Sequence, residues 1–245
     1  MLQLLHWCLA LSASTVFALS IDPTATTLNG TYKGFHLPEW NQDVFLGIPF
    51  AQPPVRNLRY RHPQSLTSSF SDTRRATTYG FSCIQYDDTV KLNMSEDCLT
   101  LNVVRPSGVR GPLPVLVWIY GGGLGIGSTD DPRYNLSGIV QVAEDVGKPF
   151  IAVSINYRVN HWGFLQSLQA QAEGSSNAGL LDQRLALRWI QENIAGFGGD
   201  PDESSFGAKA LVPKVLRTIC SAMTAGTIVF SMGLFWKVGD QLAPL

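Results

Sequence analysis

Two short, almost wholly apolar runs, Val115-Leu116-Val117-Trp118-Ile119-Tyr120 and Pro149-Phe150-Ile151-Ala152-Val153-Ser154-Ile155, constrain this chain more than any other feature. Rich in β-branched residues and free of charge, they read as strands buried on both faces of a sheet. Between them, Ser137 to Val146 places Ile139, Val140, Val142 and Ala143 at helical spacing. Strand, helix and strand in that order suit a right-handed crossover between parallel neighbours. The fold class is therefore α/β, with parallel strands at its centre.

Further strand-like runs lie at Val44 to Ile48 and Leu99 to Val104. The clearest helix runs from Gly179 to Ala195, where Leu180, Leu181, Leu185, Leu187, Ile190 and Ile194 recur every three or four residues. Gly196-Phe197-Gly198-Gly199-Asp200-Pro201 supplies its stop and the turn beyond. There is no internal repeat and no low-complexity tract.

With 45% hydrophobic and 15% charged residues, the 245-residue chain can bury a substantial core. A formal net charge of -1 without a basic block excludes the electrostatic footprint of a nucleic-acid binder. Residues 1–20 combine an apolar run, Leu4 to Leu11, with small residues through Ala18 and Ser20, the make-up of a cleaved signal peptide, although the charged n-region is weak. Its removal would leave Cys83, Cys98 and Cys220, so one thiol would lack an internal partner. Three triplets, starting at Asn29, Asn93 and Asn135, have the form of N-glycan acceptors and agree with a secreted, extracellular product.

After Tyr120 comes Gly121-Gly122-Gly123-Leu124-Gly125-Ile126-Gly127-Ser128, where missing Cβ atoms let the backbone turn sharply and bring its amides near a ligand. A P-loop would need a Lys-Ser or Lys-Thr pair, which is absent, and the spacing does not fit a dinucleotide fingerprint. A glycine triplet in isolation reads as a flexible turn.

Context changes that reading. Val117-Trp118-Ile119-Tyr120-Gly121-Gly122-Gly123 resembles the oxyanion-hole segment of the carboxylesterase type B family, which holds cholinesterases, carboxylesterases and fungal lipases. Phe45 to Ala51 with Pro53-Pro54 and Leu58-Arg59-Tyr60-Arg61 is similar to an early family signature, and Ser95 to Val103 to a second. Asn156-Tyr157-Arg158 with Gly163-Phe164-Leu165, Asn177 to Leu187, and Asn193-Ile194-Ala195 through Asp200-Pro201 complete the series in the family's order. The resemblance covers Leu28 to Pro201. It implies an incomplete α/β-hydrolase fold: the N-terminal part of a central, mostly parallel sheet with flanking helices.

It also implies site residues. Backbone amides of Gly122 and Gly123 would donate to a developing oxyanion. Cys83 would pair with Cys98 to close a loop at the gorge mouth, and two cysteines in a secreted chain make a disulfide reasonable on their own. Buried structural ion pairs are expected between Arg59 and Glu96 and between Arg158 and Asp182, and removing one partner of such a pair typically costs about 3–5 kcal/mol. The chemistry needs no metal and no nucleotide, so no cofactor is expected.

The chain then departs from the pattern. Ester hydrolysis on this fold needs a serine on a strained strand-to-helix turn flanked by glycines, and no Gly-x-Ser-x-Gly occurs. In the family that turn follows Gly-Gly-Asp-Pro after a short strand; here Asp202-Glu203-Ser204-Ser205-Phe206-Gly207-Ala208 follows directly, and it reads as a loop with the strand missing. Ser204 is the one nucleophile candidate, against a reading as a solvated loop serine. His36, His62 and His161 do not match the family's catalytic histidine, and packing or surface roles are expected of them. The organisation expected is a signal peptide over 1–20, a partial carboxylesterase domain over 21–203 and an out-of-family tail over 204–245. In that tail Ile219 to Trp236 carries no charge and approaches the ~20 residues that span a bilayer. Lys209, Lys214 and Arg217 on its N-terminal side disfavour a membrane anchor under the positive-inside tendency.

Two functional readings follow. In the first, the parent protein is a serine carboxylic-ester hydrolase acting on a small-molecule or lipid ester, and this chain, lacking the elbow, the acid and the histidine, is truncated and inactive alone. In the second, it is a non-catalytic cholinesterase-like binding or adhesion protein. The substrate is not legible, and neither is the oligomeric state: between Cys83 and Cys98, Tyr86 is the only aromatic.

Overall fold

The computed structural model describes residues 22–86, 92–109, 111–208, 227–231 and 234–236. Its main sheet has eight strands in the order β11-β10-β9-β7-β8-β6-β4-β3. These are β3 (Phe35–Leu37), β4 (Gln42–Pro49), β6 (Thr100–Pro106), β7 (Leu113–Ile119), β8 (Ile151–Ile155), β9 (Gly199–Ala208), β10 (Thr227–Ser231) and β11 (Leu234–Trp236). A small second sheet joins β1 (Thr24–Thr27), β2 (Gly30–Lys33) and β5 (Thr73–Arg75).

Strand direction divides the main sheet. The pairs β10 with β9, β9 with β7 and β7 with β8 are parallel, whereas β8 with β6, β6 with β4 and β4 with β3 are antiparallel. The parallel part coincides with the two runs that pointed to a doubly covered sheet. All five residues of β8 are buried, and on β7 Val115, Val117 and Ile119 are almost wholly enclosed.

Helices cover both faces, which is what makes uninterrupted apolar strands stable in water. On one face α4 (Ala178–Asn193) presses Ala186, Leu187 and Ile190 into a core with Leu101, Val103, Val115, Val117, Ile151, Val153 and Ile155. On the other, Val140 of α1 (Ser137–Asp145) packs with Val44, Leu46, Val104 and Ala152. Two five-residue helices, α2 (Asn160–Phe164) and α3 (Leu168–Ala172), fill the link from β8 to α4.

One expectation is corrected. The stretch after Gly198 is not a loop: Gly199–Ala208 forms β9, with Ser204 opposite Val115 and Ala208 opposite Ile119. Asp, Glu, Ser and Gly disfavour a strand locally, but here β7 and β10 pair with the backbone from both sides, and tertiary pairing overrides weak β-propensity. The uncharged tail segment meets the described residues only at its end, where Thr227–Ser231 and Leu234–Trp236 are strands. The signal-peptide segment and residues 209–226, Cys220 among them, lie outside the described residues. Among the described residues no helix is long and apolar enough to cross a membrane.

Candidate active site

The parallel strands β7 and β8 end side by side, Ile119 opposite Ile155, and the chain leaves β7 through Tyr120 into the glycine loop 121–128. The carboxyl ends of parallel strands are where open α/β sheets place ligand sites. The two exits are locked together. The rings of Tyr120 and Tyr157 stack at 4.5 Å; the Tyr120 hydroxyl donates to the Tyr157 carbonyl (2.7 Å) and accepts from the Tyr157 amide (3.1 Å), and the Tyr157 hydroxyl donates to the Tyr120 carbonyl (3.0 Å). Burial pushes both phenols up, Tyr120 well above its ordinary value, so neither ionises near neutrality.

Within the loop the amides of Gly125 and Ile126 both donate to the Gly122 carbonyl, at 3.1 and 3.2 Å. That tight turn requires glycine at 122, where φ is 149° and a Cβ would sit 2.1 Å from the Ile126 carbonyl oxygen. Gly123 is different: its φ is 63°, and the space a Cβ would fill is open. Both glycines are exposed, and among the described residues neither amide has an internal acceptor.

Four neighbours hold the loop. Gln85 donates through Nε2 to the Gly127 carbonyl (3.1 Å) and accepts from the Gly127 amide (2.5 Å). The Asn160 amide donates to the Leu124 carbonyl at 2.7 Å, with both residues in the left-handed region. Asn156, fully buried, accepts from the amide and hydroxyl of Thr129 and donates to the Phe81 carbonyl. Ser128 and Ser82 share a 2.6 Å hydrogen bond and are fully buried. Non-glycine residues at positive φ concentrate where a fold fixes a functional geometry, and Leu124 and Asn160 are such a pair.

Cys83 and Cys98 form a disulfide, with Cα atoms 5.0 Å apart. It pins the segment that carries Ser82 and Gln85, so the cross-link reaches the glycine loop through two of its four holders. Arg158 and Asp182 make a buried bidentate pair: Nε to Oδ2 at 2.8 Å and Nη2 to Oδ1 at 2.7 Å, with the Arg158 amide adding 3.0 Å to Oδ2. The pair ties the exit of β8 to α4.

The Arg59–Glu96 pair exists but is not buried, which corrects the expectation; the Arg59 side chain is 47% exposed. Glu96 also accepts from Trp162 Nε1 at 3.0 Å. The Arg59 hydrogen bond holds its carboxyl below the usual range, against partial burial that pushes it up.

Ser204 is not brought to the glycine loop. Its register partner Val115 precedes Ile119 by four residues, roughly 13 Å at the rise of a parallel strand, and the glycines lie beyond Ile119. His36 contacts Asp43 at 3.2 Å beside the outer strands, and His161 packs on Trp162 with ring centroids 3.8 Å apart. Asn93 and Asn135 are exposed, whereas Asn29 is half-buried and donates through Nδ2 to the Ser68 carbonyl. A cavity of about 350 Å³ opens at the opposite end of the sheet, lined by Asp43, Arg105, Leu113, Phe197 and Gly198 among others. Arg105 there is already bonded to Asp43 and the Phe197 carbonyl, so the charged side chains that line the cavity among the described residues are paired with each other.

Nothing in the residue pattern singles out Gln85 or Asn160, and Asn156 enters only as part of a motif. All are amide residues flanking the loop at long sequence separation. Only the position of Asn156 and Asn160, just past a buried parallel strand, could have pointed to them.

Comparison with known proteins matches residues 21–210 to the carboxylesterase family. Lipase 4 of Diutina rugosa is 43% identical over 95% of this chain and 44% of its own length. Secreted lipase 1 of Botryotinia fuckeliana is 42% identical over 74% of this chain and 34% of its own. Among solved structures, a PNB esterase superposes with a TM-score of 0.69 at 36% identity, over 77% of this chain and 38% of that one. The chain thus spans less than half the length of the relatives it matches.

Proposed function

The chain belongs to the carboxylesterase family, and from that premise we propose that it supplies the oxyanion-binding part of a carboxylic-ester hydrolase, with the Gly122 and Gly123 amides as donors. In the intact reaction a serine attacks the ester carbonyl, the C=O π pair moves onto oxygen, and that oxygen takes hydrogen bonds from the two amides. A donor of this kind contributes about 3 kcal/mol to the transition state. The observation that carries the reading is a pair of exposed amides with no acceptor among the described residues, on a loop held by Ser82, Gln85, Asn156 and Asn160.

We further propose that this chain by itself does not turn over esters. Supporting this, Ser204 lies well down β9 from the loop, and Ser128, at the end of the loop, is buried against Ser82. Small-molecule and lipid esters are the substrate classes, since the names of the relatives include both lipases and an esterase. A secretory route agrees with the apolar N-terminus and with a relative named a secreted lipase. The test is a fluorophosphonate probe on the purified chain, with 4-nitrophenyl butyrate hydrolysis in parallel. No stoichiometric label and no rate above background are expected; one label per chain would overturn the proposal of inactivity.

A second reading, a non-catalytic binding protein of the cholinesterase-like kind, is favoured by one observation. β10 pairs with β9 over five residues and β11 pairs with β10, so the sheet does not stop at an open β9 edge. An uncovered edge would invite aggregation. A monodisperse, cooperatively melting chain would favour this reading, and an aggregate would count against it.

A further inference from the structure

Helix α1 is apolar on two sides. Val140 and Ala143 face the sheet, but Ile139, Val142 and Val146 are 48%, 60% and 64% exposed. They recur at spacings of three and four, so they form one stripe along the outer face. Scattered surface hydrophobics are ordinary, but an aligned stripe along the outer face of one helix is not. At the head of this stripe stands Asn135, exposed, in the triplet Asn135-Leu136-Ser137.

We propose that Asn135 carries an N-linked glycan that lies over the α1 stripe and shields it from solvent. The inference rests on the secretory-route reading above. Several observations converge on this position. Asn135 stands just outside the N-terminal end of α1, in extended backbone (φ -65°, ψ 113°), four residues before Ile139, the first residue of the stripe. Helical side chains tilt toward the N-terminus, so Ile139 leans toward Asn135. Among the described residues the Asn135 side chain uses only Oδ1, which accepts from the Ser137 amide at 2.9 Å, and Nδ2 has no acceptor there. Asn29, by contrast, spends its Nδ2 on the Ser68 carbonyl. Asn93 is exposed but is far in sequence from this helix, whereas Asn135 lies two residues before it.

Ser137 is buried at 3% in the folded chain, so the transfer precedes the docking of α1. In that step Asn135 Nδ2 bonds to C1 of the first sugar of a lipid-linked oligosaccharyl diphosphate. The C1–O bond breaks, the lipid diphosphate departs with the electron pair, and one amide proton is lost to base. The remaining N–H keeps the side chain planar, and Oδ1 stays available to accept from the Ser137 amide once α1 docks.

The test is glycopeptide mass spectrometry on the full chain secreted from a eukaryotic host, followed by dye binding to exposed apolar surface. Asn135 is expected to carry the glycan, and Asn135→Gln to raise dye fluorescence roughly twofold, with no rise in Asn93→Gln. Adding Ile139→Ser and Val142→Ser to Asn135→Gln should return the signal to its starting level. Should Asn135→Gln fold poorly, endoglycosidase trimming of the folded wild-type chain gives the same readout. A glycan on Asn93 with none on Asn135, or unchanged dye binding after its loss, overturns this inference alone. No glycan at any of the three asparagines overturns it together with the secretory reading, leaving the oxyanion proposal to its own test.

Discussion

The ends of two neighbouring parallel strands, β7 and β9, are built in opposite ways. Beyond β7, groups from two distant segments, 82–85 and 156–160, converge on the glycine loop, and its geometry is fixed several times over by Gln85, Asn156, the Asn160 amide and the Tyr120–Tyr157 lock. β9 is set by backbone pairing to β7 and β10 and carries no glycine-flanked serine. From this difference it follows that the shape of the glycine loop is specified by the segments packed around it, whereas β9 takes its shape from its strand partners.

The comparison can be broken most forcefully at the buried pair behind the loop. Asp182→Ala would leave the Arg158 guanidinium buried and unpaired, and should cost about 3–5 kcal/mol in urea unfolding. A loss below about 1 kcal/mol would mean that the pair does not tie β8 to α4. Next is the disulfide. Converting Cys83 and Cys98 together to serine should cost about 3 kcal/mol, the chain-entropy value for a closed loop of this size, and should loosen Gln85 from the loop. Calorimetry with amide exchange at Gly127 checks both.

Two glycine substitutions sharpen the contrast within the loop itself. Gly122→Ala brings a Cβ against the Ile126 carbonyl and should cost about 1–3 kcal/mol with a distorted loop. Gly123→Ala faces open space and should cost only about 1 kcal/mol from its backbone angle. Equal effects would contradict the turn described above. The smallest effect is expected at Glu96. Because its folded-state carboxyl is held low, its pairing contributes stability above the ordinary carboxylate range and loses it as pH falls through the lowered value. Glu96→Gln should therefore flatten the acid limb of the melting profile slightly, since Arg59 is half in water.

How much of this was legible in the residues follows the same division. The apolar runs at Val115 to Tyr120 and Pro149 to Ile155 announced buried parallel strands, because doubly covered strands leave no alternation to blur. The helix from Gly179 onward was equally plain from its period, and the observed Ala178–Asn193 differs by a residue or two at each end. β9 was not legible, since Asp202, Glu203 and Ser204 carry loop chemistry and only their partners make them a strand. The exposure of Arg59 was also hidden: a motif match names a pair but not its depth. The loop holders Gln85 and Asn160 lie in irregular segments, where no period relates a side chain to its contact.

The most direct test of the account is an amide-resolved NMR titration of the full chain with butyrate, an anion that imitates the charge the loop is proposed to meet. Gly122 and Gly123 should shift together and saturably, while Gly108 and Gly174, which also have positive φ but lie outside the loop, stay still. If the loop glycines do not move, or move no more than those two, the loop is not an oxyanion site and the central claim fails.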